Sequence, residues 1–286
     1  MRISSLKAAK NPNVTTRNNP CTPALGPAAV CHVGPDPTTN AYVQSHGTAI
    51  RVVAGSTSGG ALLVVSPSIT SVDQLRGKKI ADPQLGGTQD VALRYFLKGN
   101  GFKTDTAGGG DVAVLPEDNA QTLTAFRQGQ IDGAWVPEPW ASRLIVEGGG
   151  HVLVDERDLW PNGKFVTTNL VVSRAFLQAH PMRVKALLEG LYQAVAYLNS
   201  NPTDAQNVTN SAVAQIIGKK LAQGVVATAW PHMTFTLDPL AATLRASASH
   251  AQSLGLLPNV DLSHLYDLTL LNQVLSEHNQ PAVNAT

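Results

Sequence analysis

The sequence predicts an α/β fold with mostly parallel sheets, and three observations predict it. Short apolar runs alternate with helix-patterned segments of about ten residues between Ala49 and Asp155, as strands do when helices return them to one sheet. Beyond Thr168 the character changes and helices dominate. With 286 residues and 43% hydrophobic content, the chain can bury a substantial core in one large domain or two lobes.

In chain order, residues 1–30 are irregular, with Pro12, Pro20, Pro23 and Pro27 and no lasting period. The first strand signal is Ala49 to Ala54 (AIRVVA), followed by GSTSGG as a turn and ALLVVS as a second run. Lys79–Ala81 is a short buried strand, and Thr88–Lys98 a helix with Val91, Ala92, Tyr95 and Phe96 on its inward face. Asp111–Leu115 is a strand, and Asn119–Gln128 a helix with Leu123 and Phe126 inward and Asn119 as N-cap. Ile131–Val136, His151–Asp155 and Asn169–Ser173 are strands, and Pro139–Glu147 is a helix opened by proline. Val184, Leu187, Leu188, Leu191, Val195 and Leu198 repeat at helical spacing and predict a helix over 181–199. The stretch from Thr203 to Gln280 is helical, with breaks near Trp230-Pro231 and Asn259.

Composition excludes several functions. A formal charge of +1, with 14% charged residues, provides no basic stripe for nucleic acid. At 5%, aromatics provide no row of base-stacking platforms. Neither GxGxxG nor GxxxxGK[ST] occurs, which argues against a nucleotide-binding domain. No cofactor is expected. Cys21 and Cys31 lack a CxxC partner, and with His32 they make neither a metal set nor a nucleophile, so they are taken as incidental. No run of 18 apolar residues predicts a membrane span, and the first 30 residues have no apolar core of a secretory signal.

The segment LGGTQD (Leu85–Asp90) stands out at the start of a helix. Glycines and a threonine there make a turn and a cap, and they also leave helix N–H groups open to an anion. A second feature is a short internal likeness. CHVGPDP (Cys31–Pro37) and AWVPEP (Ala134–Pro139) both run from an apolar strand end into a Pro-x-Pro turn. In open α/β sheets, ligands bind at the carboxyl ends of the strands.

The segments VGPDPTTNAY, IRVVAGSTSGGALLV, LRGKKIADPQLGGTQDVALRYFL, LTAFRQGQIDGAWVPEPWASRL, FTLDPLAATL and LSHLYDLTLLNQVL occur in order from about Val33 to Leu275. Together they resemble the substrate-binding proteins of nitrate/sulfonate/taurine-type ABC importers, and most of all the aliphatic-sulfonate branch. The resemblance implies a bilobal fold of the type II periplasmic-binding-protein kind, with an anion held between the lobes. Residues 68–164 would form lobe two, and 1–67 with 165–286 lobe one, the chain crossing near 61–66 and 164–169.

The implied ligand residues are Gly86, Gly87, Thr88 and Gln89 from lobe two, Ser56, Thr57 and Ser58 from the GSTSGG turn, and Gly34, Pro35, Asn40, Trp135, Glu138 and Trp140 around the Pro-x-Pro turns. Trp135 could equally be core. Glu138 is unexpected beside an anion; it could meet a cationic part of the ligand, solvent, or a Ser or Asn across the cleft. The implied partners are a small anion such as an alkanesulfonate or taurine, and the permease and ATPase subunits. The implied location is the periplasm or cell surface, with membrane contact only through the transporter or a lipid anchor. The competing readings are an enzyme on the same fold, of the pyrimidine-forming thiamin-pathway type, and a truncated, non-functional copy.

One departure sets a further expectation. Ile80–Val136 carries a strand–helix–strand–helix–strand set before its Pro-x-Pro turn, and the 30 residues before Cys31 show none. Lobe one is therefore expected to be incomplete, through a late start, a frameshift or truncation, and poorly stable as it stands.

Overall fold

The computed structural model describes residues 30–222 and 224–285. In chain order the main elements are β1 (Val30–Val33), α1 (Pro35–Gln44), β2 (Ile50–Gly59), β3 (Ala61–Val65), β4 (Lys79–Asp82), α2 (Thr88–Gly99), β5 (Ala113–Pro116), α3 (Asn119–Arg127), β6 (Gly133–Pro137), α4 (Trp140–Val146), β7 (His151–Asp155) and β8 (Val166–Ser173). They continue with α5 (Arg174–Ala179), α6 (Pro181–Ser200), α7 (Pro202–Ile217), α8 (Val225–Ala229), β9 (Met233–Phe235), α9 (Ala241–Ser253) and α10 (Thr269–Glu277).

Two sheets organise these elements, in the orders β1-β8-β2-β9 and β5-β4-β6-β3-β7. β3 shows why each sheet is covered on both sides. Its five residues ALLVV are all fully buried, so neither face meets water. Leu62 and Val64 pack with Phe126, Val136 and Leu144 beneath α3 and α4, while Leu63 and Val65 pack with Ile80, Leu93, Leu97 and Trp135 beneath α2. At roughly 2 kcal/mol for each fully buried aliphatic side chain, this strand is a major anchor of the second sheet. The first sheet is likewise sandwiched. Val33, Val52 and Val171 meet Leu244 and Ala248 of α9, and Val53, Leu170 and Val172 meet Val184, Leu188 and Leu271 of α6 and α10.

The α/β layering agrees with the sequence reading, but strand direction departs from it. Among the described strands only β4 pairs in parallel, with β5 and β6; β3 runs antiparallel to β6 and β7. Every strand pair of the first sheet is antiparallel among the described residues. The cause is β8, which inserts between β1 and β2 and runs against both. Alternating strand and helix signals cannot reveal a strand that returns from more than a hundred residues away.

GSTSGG is not the predicted turn. Gly55 to Gly59 continue β2, and the chain turns at Gly59 and Gly60, whose φ values of +74° and +75° suit glycine. Because β3 lies wholly in the second sheet, the chain crosses between sheets at this turn, ahead of the expected 61–66; the return crossing spans 156–165. Asp118 rather than Asn119 caps α3, its carboxylate accepting from the Ala120 amide at 2.9 Å. The three-residue β9 was not assigned from sequence. Cys31 is disulfide-bonded, not the incidental thiol expected, and Cys21 and the rest of 1–29 lie outside the described residues.

Candidate functional site

The starts of α1 and α2 meet. Gly34 is the N-cap of α1 and Pro35 its first residue, where a missing N–H costs nothing. Gly87 is the N-cap of α2, with no side chain to satisfy the first amides. A Cβ on Gly34 would stand 2.6 Å from the Thr88 hydroxyl oxygen. That oxygen is buried and has no hydrogen-bond partner among the described residues. Asn40 reaches across from α1 and donates its side-chain amide to the Gly86 carbonyl at 3.3 Å.

The structure thus brings Gly34, Pro35, Asn40, Gly86, Gly87, Thr88 and Gln89 together. The amides do not all remain open. Gly86 donates to the Asp90 carboxylate at 2.8 Å and Gly87 to the Gln84 carbonyl at 2.9 Å. The Gly87 amide is therefore committed within its own turn, which corrects its expected role as an anion donor. Thr88 and Gln89, as the first residues of α2, have no intrahelical acceptor for theirs.

The other expected residues lie elsewhere. Ser56, Thr57 and Ser58 are strand residues of β2. Thr57 is flanked by Thr168 and Phe235, and the buried Ser58 hydroxyl accepts from the Phe165 amide at 3.3 Å. Trp135 is fully buried, packs against Phe96 with ring centres 5.5 Å apart, and donates its indole N–H to Glu156 at 2.8 Å, so it is a core residue. Trp140 opens α4, with the Arg143 guanidinium 4.5 Å over its ring. Glu138 faces neither solvent nor an open cleft. Its carboxylate accepts from the Ser142 amide and hydroxyl at 3.0 and 2.9 Å and lies 2.6 Å from His232 Nδ1.

Sequence reasoning missed the acids around the paired helix starts. Asp90 is fully buried and its carboxylate takes both the Gly86 amide and Arg94 Nε, the latter at 2.6 Å. Asp82, at the end of β4, is held well above the ordinary carboxylate range by burial and by the charge of Asp90. Asp36 sits in the first turn of α1 and accepts from the Ser247 hydroxyl at 2.7 Å; burial pushes it up to about 7. Burial likewise pushes Glu156 up to about 7, although two indole N–H groups lower it, that of Trp135 and that of Trp160 at 3.3 Å. Arg94 is the single buried guanidinium set against these acids among the described residues. Asp36, Asp82 and Asp90 stand at helix or strand ends in GPDP, IADP and TQDV, which read as ordinary caps and turns.

Among the described residues no group of His, Cys, Asp and Glu could hold a metal ion. A family profile described as "NMT1-like family" matches residues 34–218, well over half of the chain. The chain belongs to the NMT1-like family. Among curated relatives, the "Taurine-binding periplasmic protein" of Escherichia coli is 28% identical over 179 residues, covering 63% of this chain and 53% of that protein. The "Bicarbonate transport ATP-binding protein CmpC" of Synechocystis is 33% identical over 110 residues, 38% of this chain and 15% of that protein. The match thus spans about half of one relative's length and far less of the other's. Among solved structures, the alkanesulfonate-binding protein SsuA from Xanthomonas axonopodis pv. citri, bound to MOPS, superposes with a TM-score of 0.63 at 21% identity. It covers 81% of this chain and 77% of that one, and at that identity it speaks to the fold alone. The resemblance to importer substrate-binding proteins and the periplasmic-binding α/β architecture both agree with these relatives of an NMT1-like chain.

Proposed function

We propose that this chain is the solute-binding component of an ABC importer, and that it holds the anionic head of a small sulfonate-type solute where α1 and α2 begin. One observation carries the reading: the Thr88 hydroxyl is buried, lacks a partner among the described residues, and lies between two helix N-termini. An orphaned hydroxyl there costs free energy that an anion's oxygens would recover. The open amides of Thr88 and Gln89 add neutral donors, which suit a ligand that must be released again. Gly34 and Thr88 stand in contact, so a ligand reaches them only when the lobes part about the turn at Gly59–Gly60 and the return crossing at 156–165.

The taurine-binding relative supports a sulfonate, and the bicarbonate relative makes a smaller oxyanion the main competitor. The relatives' names support a transport role over the thiamin-pathway enzyme, with permease and ATPase subunits as partners. A disulfide at Cys31 suits an oxidising compartment, in keeping with a periplasmic or cell-surface location. No helix of the described residues is long and apolar enough to cross a membrane.

Calorimetry with taurine, 1-propanesulfonate, nitrate and bicarbonate tests the proposal. A sulfonate is expected to bind most tightly. Thr88→Val, which keeps the shape and removes the hydroxyl, is expected to cost about 1–2 kcal/mol of that affinity. Unchanged affinity in the variant, or binding of nitrate or bicarbonate ahead of every sulfonate, overturns the corresponding part.

A further inference from the structure

A cavity of about 420 Å³ lies between α2, α9 and the segment 156–160. Ala92, Tyr95, Phe96, Glu156, Trp160 and His250 line it. On α2 these positions continue the face that begins at Thr88, because residues four, seven and eight further on recur on one side of a helix. Tyr95 is about 10 Å along the axis from Thr88. The pocket is therefore separate from the anion position.

Its walls are rings. Tyr95 and His250 stack with centres 3.6 Å apart, and Trp160 lies 5.6 Å from His250. Its acid is Glu156, which is 2% exposed and whose two oxygens are each held by an indole N–H. Indole donors orient a carboxylate without neutralising it. Among the described residues no Lys or Arg lines the cavity, and burial lowers the pKa of His250, which keeps that ring neutral near pH 7. Asp36 and Asp155 also raise Glu156, though less than burial does, Asp155 being itself paired with Arg157.

We propose that this pocket binds an organic ammonium ion with a ring-sized apolar body, its charge set against Glu156 and its body held between Tyr95, Phe96 and Trp160. Aromatic faces attract a desolvated cation, and the Glu156 carboxyl, raised to about 7 by burial and therefore ionised at pH 8, supplies the stronger half of the interaction. The volume suits a single-ring amine, being at the small end of ligand pockets. A sulfonate or carboxylate would be repelled by the same acid. This inference goes beyond the importer reading and does not depend on it.

The test is a titration of the full chain at pH 8 with benzylammonium and with benzyl alcohol, its neutral counterpart, followed by tryptophan fluorescence and calorimetry. Saturable binding of benzylammonium is expected, with the alcohol at least about tenfold weaker. Glu156→Gln is expected to remove that preference. Tyr95→Ala alters a rim residue that is 41% exposed, so the fold should tolerate it, and it is expected to weaken benzylammonium by roughly fivefold or more. Equal affinities for amine and alcohol, no saturation by benzylammonium, or unchanged binding in Tyr95→Ala each overturn the proposal. If Glu156→Gln does not fold, the alcohol comparison and Tyr95→Ala still decide. Benzylammonium carries no anion, so this result stands or falls apart from the sulfonate assignment.

Discussion

Gly34 and Gly55 both lack room for a Cβ, but what stands in the way differs. At Gly34 the obstacle is the Thr88 hydroxyl oxygen, which one χ1 rotation moves aside. At Gly55 it is the backbone carbonyl of Asp238, fixed in a tight pairing in which Gly55 donates its amide to Leu237 O at 2.8 Å. Gly55→Ala is therefore expected to cost about 2–3 kcal/mol of stability in urea unfolding, and Gly34→Ala less than about 1 kcal/mol. Equal losses would mean that the backbone at Asp238 yields as easily as a side chain. Glu138 makes a related point about chemistry. It is puzzling in the sequence as a carboxylate in an anion site, but two groups of Ser142 and the His232 ring absorb it completely.

Helix α2 shows what was legible in the sequence at the scale of an element. Its start at Thr88 and its end near Lys98 are visible from the GG turn and the closing Asn-Gly. Its inward face is not. The reading favoured Val91, Ala92, Tyr95 and Phe96, whereas Leu93, Arg94 and Leu97 are buried with Val91, and Tyr95 is exposed. A helix wedged between its own sheet and α9 has two apolar faces, and a single-stripe rule picks only one of them. Arg94 was invisible for a further reason: a buried arginine is identified by its partner, here Asp90 one turn earlier. That pair also fixes the loop before the helix, since Asp90 holds the Gly86 amide. Asp90→Ala would strand a buried guanidinium and free the turn that presents Thr88. It is expected to cost about 3–5 kcal/mol of stability, measured by denaturant unfolding. A loss below about 1 kcal/mol would mean that water reaches Arg94 without help. GSTSGG failed in the opposite direction. Its composition reads as a turn, and only pairing with β8 and β9, both more than a hundred residues distant, makes it a strand.

Across the whole molecule, the buried acids belong to different parts: Asp36 to α1 on the first sheet, Asp82 and Asp90 to the second, and Glu156 to the return crossing. Asp36 and Glu156 both have folded pKa values of about 7, raised from 3.8 and 4.5 by burial. An acid raised on folding binds its proton more tightly in the native state. Its contribution is fully present below the unfolded pKa and is lost as pH rises through the folded one. Asp105, Asp111, Glu147 and Asp155 are shifted downward, so their contributions change only below the ordinary carboxylate range. Burial lowers His32 and His250, which works in the opposite sense just below pH 6.5. The clean observable is therefore a difference between variants. Asp36 faces Ser247 and feels Asp90, and Asp36→Asn keeps its shape while removing its titration. Between pH 5 and 8 the parent chain is expected to lose stability, by up to a few kcal/mol at about 1.4 kcal/mol per pKa unit, relative to Asp36→Asn. Melting temperatures of both proteins across that window measure it. Parallel curves would show that Asp36 is solvated in the folded chain, so that the packing of α1 against α9 around Ser247 admits water.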